Sequence, residues 1–165
     1  MDIKRIIVGY LEENCYIIKK DDKVIIVDPG DEAERIEREI NNANVIGILL
    51  THDHFDHVGA LEYFEQKYNL KHNDLIRGFN YEVIKTPGHT KDSKTFYFPD
   101  DKVMFTGDFL FKGTIGRMDL QGGSIEEMQR SLEVISNYPN DITIYPGHGE
   151  ASILGNEKNY FRIYI

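Results

Sequence analysis

Apolar residues in this chain fall into short runs, most of them too brief for core helices. "IKRIIV" (3–8), "NCYIIK" (14–19) and "KVIIVDPGD" (23–31) are rich in β-branched residues. The first two flank "GYLEE" and predict a meander; the third predicts a buried strand stopped by Pro29 and Gly30. The spacing then turns helical. Asp31 is placed to cap a helix through about Asn42, with Ala33, Ile36 and Ile40 on one face. "NVIGILLT" (44–51) reads as another buried strand, and Val58, Leu61, Phe64 and Tyr68 beyond it recur at helical spacing.

The second half repeats this rhythm. "YEVIKT" (81–86), "KTFYFP" (94–99) and "KVMFTG" (102–107) read as strands, the last two joined by "PDD". A helix is expected over 124–136, with Ser124 as its cap and Glu127 three residues on, before a final strand "ITIYPG" (142–147). Two blocks of strands, each followed by helix, predict an α/β fold in four αββα layers: two mixed sheets with helices on the outer faces. No linker interrupts residues 1–165, so a single domain is expected.

Composition narrows the function classes. The formal charge is −9, and no run of five basic residues occurs, which argues against nucleic acid as a partner. No apolar stretch approaches a membrane span, and the first 15 residues lack a signal-peptide core, so no membrane association is expected. Cys15 is the only cysteine, which points to a reducing, cytoplasmic compartment. Monomer and homodimer both stay open.

The unusual chemistry sits at the predicted strand ends. "THDHFDHVG" (51–59) places His52, His54, Asp56 and His57 after one strand. His89 in "TPGHT", Asp108 in "FTGDF" and His148 in "YPGHG" follow three others. Imidazoles and carboxylates together suit Zn²⁺, Fe²⁺ or Mn²⁺. Seven candidates exceed the needs of one tetrahedral ion and divide over two. His52 and His54, at i and i+2 in extended chain, point the same way. Asp56 and His57 lie beyond the turn and can address a second centre, and a carboxylate such as Asp108 can bridge both. His72 has no such setting and reads as a surface histidine.

With "VDPGD" before the cluster and "TPGHT", "FTGD" and "YPGHG" after it, the chain resembles the metallo-β-lactamase-fold hydrolases, in particular the small glyoxalase II-like branch. The resemblance runs from "NCYII" at 14–18 to "GHGEASILGNEK" at 147–158, and "IGRMDLQGGS" resembles that branch's Gly-Arg-x-Asp segment. It implies one ion on His52, His54 and His89, a second on Asp56, His57 and His148, and Asp108 between them. Zinc is the first expectation, with iron and manganese as alternatives. A hydroxide shared by the two ions would attack the acyl carbonyl of a small-molecule thioester, Asp56 assisting proton transfer. Asp28 matches a position beside the metal loop, either bonding a ligand or closing its own turn. Arg117 and Asp119 either face an anionic substrate or form an internal salt bridge.

Several features depart from the family. Dedicated glyoxalase II enzymes carry a C-terminal helical domain that grips glutathione, and none is expected within residues 1–165. Only 31 residues separate His57 from His89, short for the family, so a strand or lid is expected to be missing there. Lys91 and Asp92 stand where the family commonly has glycine before the serine. The competing reading is a persulfide dioxygenase of the same branch, with one iron on the equivalents of His52 or His54, His89 and Asp108. The "GRMDL" and "VDPGD" contexts point away from β-lactam hydrolysis.

Overall fold

A computed structural model describes all 165 residues, which divide into two compact units, Met1–Phe79 and Asn80–Ile165. In the first, β1 (Asp2–Val8), β2 (Glu13–Lys20) and β3 (Lys23–Val27) form an antiparallel meander. Helix α1 (Ala33–Ile40) then crosses over to β4 (Asn44–Leu49), which pairs parallel with β3. A helical crossover is what a parallel pairing requires. Two short helices follow, α2 (Phe55–Val58) and α3 (Leu61–Tyr68).

The second unit uses the same plan. Strands β5 (Glu82–Lys85), β6 (Lys94–Phe98) and β7 (Val103–Gly107) are antiparallel. A small ribbon, β8 (Leu110–Phe111) and β9 (Thr114–Ile115), precedes α4 (Ile125–Ser136). Then β10 (Thr143–Pro146) joins parallel to β7, followed by β11 (Ser152–Ile153) and α5 (Leu154–Lys158). The α/β class with two mixed sheets, expected from the apolar pattern, is the observed one. No helix is long and apolar enough to cross a membrane.

Burial explains the runs. Ile36 and Ile40 of α1 and Leu61 and Phe64 of α3 pack with Ile17, Val24, Ile26 and Ile48 on one sheet face. Tyr16, Ile18, Ile25, Val27 and Leu49, on the opposite face, are buried too. Strands buried on both sides read as continuous apolar runs without alternation. In the second unit Met128, Leu132 and Ile135 of α4 pack with Tyr97, Met104 and Ile144. The Ser124 hydroxyl accepts the Glu127 N–H, as a cap should.

Two local expectations change. Asp31 does not cap α1: its Oδ1 accepts the Glu32 N–H one residue before the helix, and Glu32 takes the left-handed boundary position. The helical spacing through Val58 and Tyr68 spans two helices, because Gly59 lies against Gly30 and the Ala60 N–H bonds the Pro29 carbonyl. An added Cβ at Gly59 would lie 2.2 Å from the Gly30 oxygen.

Residues 69–81 form no strand, so β4 ends the four-stranded sheet. Asn73 closes that edge. Its N–H donates to Ile48 O, and its side chain accepts the Leu50 N–H (2.9 Å) and donates to Leu50 O (3.1 Å). His72, read as a surface residue, is half-buried and holds this loop to α3 through Glu65, at 2.6 Å. Asn73→Ala is expected to lower unfolding free energy by about 1–2 kcal/mol, since the Leu50 N–H loses its partner. Urea melts would show it; an unchanged midpoint would mean that the edge is held elsewhere.

Candidate functional site

Strand direction sets where ligands emerge. β3 and β4 are parallel neighbours, so Asp28 and the loop beginning at Thr51 leave the same edge of the first sheet. His52 and His57 are buried there, and His54 and Asp56 are half-buried. The His52 ring centroid lies 4.8 Å from that of His54 and 4.1 Å from that of His57.

Asp28 organises this loop. Its φ of +48° is in the left-handed region, which Asp tolerates better than most residues. Its N–H donates to Leu49 O at 2.9 Å. Oδ1 accepts the Thr51 N–H at 2.7 Å, and Oδ2 accepts the Thr51 hydroxyl at 2.6 Å. The same Oδ2 accepts from His57 Nδ1 at 2.8 Å. Having donated to Asp28, the Thr51 oxygen is an acceptor for His52 Nδ1 at 3.0 Å. Both rings therefore carry the proton on Nδ1 and keep the lone pair on Nε2, the form that binds a metal. Asp28 thus bonds a candidate ligand and closes its turn as well.

The second unit builds its share the same way. β5, β7 and β10 run in one direction, so His89, Asp108 and His148 leave one edge. His89 is buried, and its Nδ1–H donates to the Arg117 carbonyl at 2.8 Å, again leaving Nε2 as the acceptor. Gly116 makes that bond possible: an added Cβ would lie 1.7 Å from the Asp108 carbonyl oxygen. Asp108 Oδ2 lies 3.6 Å from His89 Nε2 and 3.5 Å from His148 Nε2. In the first unit Asp56 Oδ2 is 3.6 Å from His57 Nε2. These spacings exceed hydrogen-bond length. They approach the roughly 3.3 Å between donors that each sit about 2.0–2.1 Å from a shared tetrahedral ion. The donor set fits a divalent cation.

Arg117 and Asp119 adopt the internal-pair alternative. They form a bidentate ion pair at 2.7 and 2.8 Å, exposed on the loop, and the Arg117 hydrogen bonds hold the Asp119 carboxyl down at about 2. Cys15 is buried, and burial pushes its thiol up. The Lys91–Asp92 departure is absorbed at an exposed tip closed by Thr90 and Ser93. A cavity of ≈ 1090 Å³ opens beside His148, lined by Phe111, Lys112, Glu150, Asn156 and Tyr160 among others. Thr51 and Glu13 are the neighbours of the cluster that sequence reasoning did not single out. Glu13 stands within a run of buried residues, and that is its only signal.

A family model described as the metallo-beta-lactamase superfamily matches residues 8–72 and 73–148. The chain belongs to the metallo-β-lactamase superfamily. Within this superfamily it is 32% identical to hydroxyacylglutathione hydrolase GloC of Haemophilus influenzae over 202 aligned positions, covering 96% of this chain and 95% of that one. That span exceeds the 165 residues here, so the relative carries internal segments that this chain lacks. Among solved structures the chain is similar to BLEG-1, a B3 metallo-beta-lactamase, with a TM-score of 0.89, 26% identity and 99% of both chains covered. It is also similar to TTHA1623, solved in a di-iron-bound form, with a TM-score of 0.83 and 28% identity over 92% of this chain and 95% of that one.

Asp28→Ala leaves the Thr51 N–H, the Thr51 hydroxyl and His57 Nδ1 without their acceptor. Each buried orphan costs about 1–3 kcal/mol, so a loss of at least about 3 kcal/mol is expected in urea unfolding, with Asp28→Asn intermediate. A loss below about 1 kcal/mol would show that Asp28 does not hold this loop.

Proposed function

We propose that the chain is a binuclear metallohydrolase of small thioesters. In this reading His52, His54 and His89 hold one ion, Asp56, His57 and His148 the other, and Asp108 is shared. The carrying observation is the orientation of the imidazoles: His52, His57 and His89 each donate Nδ1–H to the protein, which leaves Nε2 to bind a metal. The placement of Asp108 Oδ2 about equally far from two Nε2 atoms supports its shared role. The hydroxyacylglutathione hydrolase relative supports the thioester class.

Divalent ions held by these residues would supply an activated water near neutral pH and Lewis acidity toward a carbonyl. The net reaction adds water to the acyl carbon and breaks the C–S bond, giving a carboxylate and a thiol. A thiolate leaves readily, so no strong general acid is required. Asp56, half-buried beside His57, takes up and releases the proton. The cavity beside His148 seats the carrier part of the substrate. Zinc is the first choice of ion; iron and manganese suit the same donors. The lone cysteine fits a cytoplasmic enzyme.

The test is a panel of acyl thioesters followed by thiol release, with a cephalosporin and a thiol persulfide in an oxygen electrode alongside. The reading predicts thioester turnover that falls by about 100-fold or more in His54→Ala, with circular dichroism unchanged. Oxygen consumption with persulfide and no thiol release would replace it with the dioxygenase. Turnover of the cephalosporin alone would make the enzyme a β-lactamase.

A further inference from the structure

Glu13 has a carboxylate at the first residue of β2 and is 1% exposed. Its register partner is Val8, where a strand pair needs no charge. The side chain turns to the ligand loop. Oε1 lies 3.6 Å from Nδ1 of His57, a ring with no exposure, while Asp28 Oδ2 takes the hydrogen bond from that same nitrogen at 2.8 Å. Oε2 lies against Gly30: a Cβ there would be 2.4 Å from Glu13 Oε2 and 2.0 Å from the Asp56 carbonyl oxygen. Glycine at 30 is thus the space into which the Glu13 carboxylate fits beside the Asp56 backbone.

Three carboxylates therefore face one imidazole: Asp28 and Glu13 on its Nδ1 side and Asp56 on its Nε2 side. Burying a carboxylate is costly unless positive charge compensates it. A dication held at Nε2 would bring positive charge to this buried group. Packing alone does not call for this charge, since a glutamine fills the same volume.

We infer that Glu13 is a positioning residue for the ion held by His57. Its carboxylate packs beside the Nδ1 that Asp28 bonds and against the Asp56 backbone, and so strengthens the hold on that ion over the one at His52, His54 and His89. The inference rests on the binuclear reading above. The experiment titrates metal-stripped protein with zinc against a chromophoric competing chelator, in wild type, Glu13→Gln and Glu13→Asp, with melting of the apo forms in parallel.

In Glu13→Gln one of the two zinc equivalents is expected to weaken by about 10–100-fold while the other stays within about threefold. The apo protein should melt at the same temperature or higher, because a buried charge has left the company of like charges. Glu13→Asp, which keeps the charge, should recover most of the lost affinity. Two equivalents bound by Glu13→Gln as by wild type would overturn the inference, and so would a fall in apo melting in step with a loss at both equivalents. Wild type that takes up fewer than two equivalents would remove the binuclear reading itself, a separate outcome.

Discussion

The carboxylate of Asp28 ties the ligand loop to the sheet. Its oxygens accept from the Thr51 N–H, the Thr51 hydroxyl and His57 Nδ1. Its backbone N–H closes on Leu49 from a left-handed turn. One side chain thus joins the ends of two parallel strands, fixes His57 directly and fixes His52 through Thr51. Charge-assisted bonds of this kind are about twice as strong as neutral ones. They hold two imidazoles in the one tautomer that leaves Nε2 to bind a metal. In the second unit a backbone carbonyl, that of Arg117, does the same for His89.

The fold plan supplies the rest. In each unit a three-stranded antiparallel meander is followed by a helix that crosses over to a parallel fourth strand. The helical crossover brings the C-terminal end of that strand beside the end of its parallel neighbour, so the loops after both leave one edge. Asp28 and the histidine loop use that edge in the first unit, and Asp108 and His148 use it in the second. Glycine permits the close approaches: Gly30 beside Glu13 and Asp56, and Gly116 against Asp108. An acidic chain of net charge −9 that buries Glu13 and Asp28 around histidines has a physical reason to bind cations.

Much of this is legible in the chain itself. Strands buried on both faces announce themselves as apolar runs, and Ser124 with Glu127 marks the start of α4. The ligand candidates stand out because histidine is rare and falls just past those runs. What stays hidden depends on distant partners. The split of the helical pattern at Gly59 comes from Gly30, nearly thirty residues earlier. Glu13 and Thr51 look like ordinary polar residues until β2 brings Glu13 beside His57 and β3 brings Asp28 to Thr51. Arg117 drew notice for its guanidinium, yet the structure uses its carbonyl. The Asp28 alternatives could not be separated by spacing, because its carboxylate has two oxygens and serves both.

The central proposal is that His52, His54, Asp56, His57, His89, Asp108 and His148 supply the ligands of two divalent ions. Elemental analysis of metal per chain tests it most directly, on protein purified without chelators and without oxygen. The account predicts about two equivalents of zinc, iron or manganese, since these donors suit all three. A single equivalent of iron, or none of these metals, would contradict it.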